Sequence, residues 1–179
     1  MDAGRMESGV TVDVSDREGL GRMSAVLKSI RDWLDGAGVA YRFVQHEATT
    51  TSEASAKARG EDIRIGGKAL LLKTDDAYRL FVLSAAMRLD SAAARKLVGA
   101  KSVRFATAEE LLAQTGLVPG SVPPFGRPIL PFELYVDESV TANEKIAFNA
   151  GSLTDSIVMA VADYLRVAQP VVVRFGKAG

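Results

Sequence analysis

The chain has 179 residues and a mass of 19.0 kDa, with 47% hydrophobic and 25% charged residues, the composition of an ordinary globular protein able to bury its own core. Twenty-two basic residues offset twenty-two acidic ones, and a formal net charge of zero tells against general DNA binding, which rests on a basic excess. The lack of cysteine and the single histidine, His46, exclude disulfides, thiolate metal sites, cysteine nucleophiles and a histidine-rich metal centre, so no metal or other cofactor is called for.

Residues 1–20 mix small, acidic and glycine residues without periodicity and read as a flexible leader, leaving 21–179 as one domain. No apolar run reaches the length of a membrane span and the N-terminus lacks a charged-then-apolar signal pattern, so the expectation is no membrane and a cytoplasmic location. Met23, Val26, Leu27, Ile30 and Leu34 recur at helical spacing and predict an amphipathic helix ending at Gly36–Gly38. Val39–Gln45 alternates as a strand and delivers His46 to a loop. Thr50 followed by Glu53 predicts a capped helix over 51–59 that stops at Gly60. Ala69–Lys73 and Tyr78–Ser84 read as strands joined by the turn TDDA, the first covered on both faces.

Asp90 predicts the cap of a short helix closed by Gly99, Ser102–Phe105 a short strand, and Thr107 with Glu110 a second capping box whose helix ends at Gly116. Beyond the next loop, Ile129–Val136, Lys145–Asn149, Ser156–Ala160 and Val171–Phe175 read as strands, with a helical turn or two at Asp163–Val167. Strands and helices mingle without a strict βαβ rhythm, which favours an α/β fold with a mixed sheet.

The loop at Gly116–Pro131 holds Pro119, Pro123, Pro124, Pro128 and Pro131, five of the six prolines, among glycines at 116, 120 and 126. Proline fixes φ and removes the backbone donor, whereas glycine permits positive φ and close approach. The mixture describes a stiff loop with a few uncovered amides: either a rigid connection between two strands or a built binding surface.

Three stretches, GKALLLK (67–73), RFATAEELLAQTGLVPGSVPPFG (104–126) and FNAG (148–151), resemble the YbaK-type aminoacyl-tRNA deacylases. These include the editing domain inserted in many bacterial prolyl-tRNA synthetases and its free-standing relatives. The resemblance spans roughly residues 38–170. It implies a single-domain α/β fold with a mixed, partly barrel-like sheet flanked by helices. It also implies hydrolysis of the ester between a wrong amino acid and the terminal adenosine of a tRNA. The family lysine falls on Lys68, the G-x-x-x-P loop on Gly120 through Pro124, and the late asparagine on Asn149. Where many relatives have a His-Pro-Asn context, Phe148 and Ala150 flank Asn149, a departure that bears on the amino-acid pocket.

An aminoacyl ester is already activated, so its hydrolysis needs a polarised carbonyl, a placed water and an accommodated leaving oxygen. Backbone amides can supply the first. Gly120, Ser121 and Val122 carry amide protons, whereas Pro123 and Pro124 do not; Gly120 and Ser121, with Lys68, which the resemblance makes a site lysine and not a solvated strand-edge one, are the expected catalytic elements. Lys68 reads as an electrostatic anchor for phosphate or ribose, since a base role needs a strongly depressed pKa. With no protein nucleophile evident, water helped by the ribose 2′-hydroxyl is the economical mechanism. Val122, Pro124 and Phe125 of the loop are expected to contact substrate; Thr49, Thr50 and Thr51 divide between lining the pocket and capping the helix, with Thr49 and Thr51 expected to line and Thr50 to cap; and His46, which the resemblance puts at the pocket rim, either contacts substrate or is a hydrogen-bonded structural residue. Asn149 either contacts substrate or holds the loop. Lys57, Arg59, Arg64, Lys68 and Lys73, interrupted by Glu61 and Asp62, either meet the tRNA acceptor end or form a solvated face.

Two functions follow. The first is a free-standing deacylase acting in trans on mischarged tRNA carrying a small amino acid, with a synthetase as a further partner. The second is a non-catalytic tRNA- or synthetase-binding module of the same fold.

Overall fold

Each of the first four helices starts where a side-chain oxygen takes up an amide proton left over at the helix end. The computed structural model describes residues 24–179, so the expected leader at 1–20 lies outside the described residues. Ser24 caps α1 (Ala25–Gly36), Asp90 caps α3 (Ser91–Val98), and Thr107 with Glu110 forms the full reciprocal box at α4 (Ala108–Thr115). In α2 (Ser52–Arg59) the cap is Thr51, whose hydroxyl accepts from the Ala54 amide at 3.1 Å. The expected cap Thr50 lies one residue too early. Short α5 (Glu138–Thr141) and α6 (Val161–Ala168) complete the helices described.

Five strands form a mixed sheet in the order β5 (Val103–Phe105), β2 (Gly67–Thr74), β3 (Ala77–Ser84), β6 (Leu134–Asp137) and β9 (Val171–Val173). The β2–β3 hairpin is antiparallel, while β3–β6 and β6–β9 run parallel. A second, antiparallel sheet is ordered β1 (Tyr41–Gln45), β8 (Asp155–Ala160), β7 (Lys145–Asn149). The two sheets meet where Gly66, just before β2, bridges Ala147 of β7. They form a corner and not a closed barrel. β4 (Met87–Leu89) and β10 (Gly176–Ala178) pair separately.

The hairpin strands read as nearly continuous apolar runs because both faces are covered. Leu71, Leu80 and Val82 enter the larger core with α1 and the second sheet; Leu72, Phe81 and Leu83 enter a smaller one with Ala94 of α3 and Phe175. The expected strand over 129–136 is shorter than its apolar content suggests. The amides of Ile129 and Leu130 both bond back to Gly126 O, at 2.9 and 3.0 Å, which folds the segment into turns before β6 begins. The last strand also ends early, because the Phe175 and Gly176 amides go to Asp137 Oδ1 at 2.6 and 2.7 Å.

Asp137 is 2% exposed, and its other oxygen accepts from the Ser139 amide at 2.9 Å. Burial alone would raise its pKa, but these hydrogen bonds outweigh it and the pKa lies below the ordinary carboxylate value. A depressed folded pKa contributes stability that is present above the unfolded value and is lost as pH falls through the folded one. Asp137→Ala leaves the buried amides unpaired and is expected to cost about 2–3 kcal/mol. Thermal unfolding should show this as a midpoint lowered by about 5–10 °C at neutral pH. The difference should shrink in acid.

Candidate active site

The proline-rich loop connects α4 to β6, a helix to a strand, where a strand-to-strand connection was one expectation. It begins as a tight turn. The Ser121 amide donates to Val118 O at 3.1 Å, with Pro119 and Gly120 at the centre and Gly120 at φ +86°. Proline followed by a positive-φ residue is the pattern of a type II turn, in which the amide of the third residue has no partner inside the turn. The Ser121 hydroxyl closes the same turn, donating to Val118 O at 2.7 Å and accepting from the Val118 amide at 3.2 Å.

Three ties hold the turn and the loop behind it. Asn149 Nδ2 donates to Gly120 O at 2.9 Å, the Gly151 amide to Ser121 O at 3.0 Å, and the buried Tyr164 hydroxyl to Pro124 O at 2.6 Å. Phe125 is fully buried, edge-on to Trp33 and Phe148 with ring centroids 5.3 and 5.2 Å away. A side chain at Gly126 would come within 2.5 Å of Phe132 O, so the chain passes there only without one.

Between this loop, the N-terminal end of α2 and the start of β2 lies a cavity of about 250 Å³. Its lining includes Lys68, Gly120, Val122, Asn149, Thr49 and Thr51 from the sequence-based set. Ser121, Pro124, Phe125 and His46 are not among the lining residues. Ser121 spends both its amide and its hydroxyl inside the turn, and Phe125 fills the core beneath it. Both ring nitrogens of His46 meet other groups: Nδ1 meets Glu47 O at 2.7 Å and Nε2 meets Ser156 Oγ at 2.7 Å. Among the described residues no protein acceptor takes the amide proton of Gly120 or of Val122, and both residues line the cavity.

Lys68, on β2 opposite Leu83, donates to Met87 O at 2.9 Å and reaches the cavity. Partial burial holds its pKa below the ordinary lysine value of 10.5; the carboxylate of Glu53 opposes this and the charge of Arg88 adds to it. Arg59 is the second cation of the lining and was read from sequence only as part of a basic region. It is 8% exposed, and burial pushes its pKa down to about 10. Its Nε donates to Ser156 Oγ and its Nη2 to Asn149 Oδ1, each at 2.9 Å. No carboxylate pairs with it among the described residues. No carboxylate lines the cavity either.

The sequence held a signal for Arg59. Ser52, Ser55 and Arg59 stand at i, i+3 and i+7 of α2, one face, and all three line the cavity. A helix whose inner face holds hydroxyls and a guanidinium, with only Ala56 apolar and buried, faces a polar site. Thr49 and Ser55 join there through a buried hydroxyl–hydroxyl contact of 2.7 Å. Among the described residues no group of three or more histidines, aspartates or glutamates is placed to hold a metal ion. The cavity is thus lined by two residues whose amides have no protein acceptor among the described residues, by two cations and by hydroxyls.

Comparison with known proteins gives a consistent picture. The family described as the aminoacyl-tRNA editing domain matches residues 46–167. The multifunctional Ser/Thr-tRNA deacylase ProXp-y of Escherichia coli (strain K12) is 35% identical over 148 residues, covering 79% of this chain and 87% of that protein. A proline–tRNA ligase of Shouchella clausii (strain KSM-K16) is 38% identical over 104 residues, 58% of this chain but 18% of the ligase. Among solved structures, a candidate trans-editing enzyme for prolyl-tRNA synthetase superposes with a TM-score of 0.76 at 26% identity, covering 88% of this chain and all of that one.

Proposed function

The chain belongs to the aminoacyl-tRNA editing domain family, and on that premise we propose that it is a hydrolase that clears mischarged tRNA in trans, with seryl and threonyl esters as its substrates. The observation that supports the reading is that Gly120 and Val122, whose amides have no protein acceptor among the described residues, line one cavity with Lys68. The ester carbonyl lies against the two amides, which stabilise the negative charge that develops on its oxygen. Water adds to the carbonyl carbon, the bond to the ribose oxygen breaks, and that oxygen takes up a proton while the amino acid leaves as its carboxylate. Lys68 steadies the phosphate or ribose of the terminal adenosine, and the ribose 2′-hydroxyl orients the water.

The small cavity and its buried Thr49–Ser55 hydroxyl pair support a short, hydroxylated side chain. Such a sieve is useful because a synthetase pocket discriminates a single methylene by only about 1–3 kcal/mol. The acceptor end of the tRNA is the partner; the match to part of a proline–tRNA ligase supports a synthetase as a second. No described helix is long and apolar enough to cross a membrane, and we place the activity in the cytoplasm with its substrate. The binding-module alternative is not favoured, because the relative matched over most of its length is a deacylase.

The test is a panel of tRNAs charged with serine, threonine, alanine, cysteine and proline, followed for release of the amino acid. Seryl- and threonyl-tRNA should be cleared fastest, and a wild-type chain that clears none of the panel ends this reading. Thr49→Val keeps the shape and removes the hydroxyl. It should cut the preference for seryl- over alanyl-tRNA by about tenfold.

A further inference from the structure

We infer that Arg59 is a positioning residue for hydrolysis: acting through Asn149, its guanidinium sets the turn at 118–121, and with it the aim of the Gly120 and Val122 amides. The inference rests on the deacylase reading above. An arginine offers only donors, whereas an asparagine side chain can present either its oxygen or its nitrogen. With Arg59 Nη2 at 2.9 Å, Asn149 must turn Oδ1 toward it, and Ser156 Oγ donates to the same oxygen at 3.0 Å. Nδ2 is then left to donate to Gly120 O at 2.9 Å. If Asn149 flipped, its oxygen would meet that carbonyl and the tie would become a repulsion. The chain of command runs from guanidinium to side-chain amide to turn.

Arg59 is well built for this task. Its backbone is fixed at the end of α2, where Gly60 takes the left-handed closing position at φ +68° and Arg42 Nη2 donates to Arg59 O at 3.1 Å. Its side chain crosses from α2 to β7 and β8, so it registers the helix end against the sheet that carries Asn149 and Ser156. Burying a guanidinium against neutral acceptors is costly. A residue needed only to brace α2 could be apolar. Ser156 is shared: it accepts from Arg59 Nε while its oxygen also meets His46 Nε2 at 2.7 Å, which joins His46 to the network.

The role predicts a particular kinetic signature. A loosened turn misaims the amides during bond breaking but leaves the contacts that capture tRNA intact. The experiment compares the full-length wild type with Arg59→Lys and Arg59→Ala in single-turnover deacylation of seryl-tRNA over a range of enzyme concentrations, with thermal melts of each. The saturating rate should fall about tenfold in Arg59→Lys and about a hundredfold in Arg59→Ala. The half-saturating concentration should stay within about twofold of wild type. Added methylguanidinium should restore part of the Arg59→Ala rate and none of the wild type's.

A folded Arg59→Lys with the wild-type saturating rate overturns the inference. So does a loss lying wholly in the half-saturating concentration, which would make Arg59 a substrate anchor. If Arg59→Ala does not fold, Arg59→Lys alone decides between these outcomes. A wild type inactive on every charged tRNA overturns the deacylase reading and this inference with it; an active wild type beside an unaffected Arg59→Lys overturns the inference alone.

Discussion

Gly120→Ala is expected to lower the saturating deacylation rate about a hundredfold while leaving the fold intact. Gly120 sits at φ +86°, where an alanine is strained by about 1–2 kcal/mol, and the added methyl would stand 3.3 Å from Leu153 Cδ2. The turn can relieve both only by rotating the Pro119–Gly120 peptide, which is the peptide that carries one of the two uncovered amides. The cost in stability is small because the turn is at the surface and its ties from Asn149, Gly151 and Tyr164 remain. Removing a single oxyanion donor in a hydrolase costs on the order of a hundredfold to a thousandfold in rate, so even partial misaiming should dominate the kinetics. Single-turnover rates together with a thermal melt would check this. An unchanged rate in a strained but folded Gly120→Ala would mean that the ester carbonyl is held elsewhere.

Lys68→Met should be the second severe variant, with kcat/KM for seryl-tRNA lower by about a hundredfold and no loss of thermal stability. Its ammonium is partly buried, and the fold disfavours its charged form, so replacing it with an apolar side chain of similar length removes a desolvation cost. The direction of the pH effect follows. Because the folded pKa lies below 10.5, the folded chain holds fewer protons than the unfolded one between the two values, and this group's favourable contribution to stability is fully present above 10.5 and lost as pH falls through the folded value. Wild-type activity, corrected for spontaneous ester hydrolysis, should decline on the alkaline side before 10.5. Lys68→Met should show no such decline from its lower plateau. Lys68→Arg should recover only part of the activity, since a planar fork does not replace a compact charge that also donates to Met87 O.

Much of the fold could be read from the chain because its signals are local. The boxes and caps at Thr107 and Asp90, the glycine stops at 60, 99 and 116, and the paired runs around the TDDA turn act over a few residues, and each appears close to where it was expected. The short elements escaped notice: β4, β10 and α5 span three or four residues, too few to show a period, and exist because partners far along the chain complete them. The same holds for the turns at 129–133, where apolar content suggests a strand but Gly126 O captures two amides.

The sequence by itself determined where α3 and α4 begin, where α2, α3 and α4 end, that the hairpin is covered on both sides, and which loop is stiff, because proline, glycine and capping side chains act on their own neighbourhood. Only the tertiary structure decided which of that loop's amides stay uncovered. Ser121 turns its proton inward to Val118, and Gly120 and Val122 do not. It also ties Asn149 to the turn, puts Phe125 in the core, and buries Arg59 with no carboxylate partner among the described residues. The ties made by Asn149 and Arg59 join residues 29 to 97 positions apart. A hydrogen bond between such distant partners leaves no periodic trace in the chain that makes it.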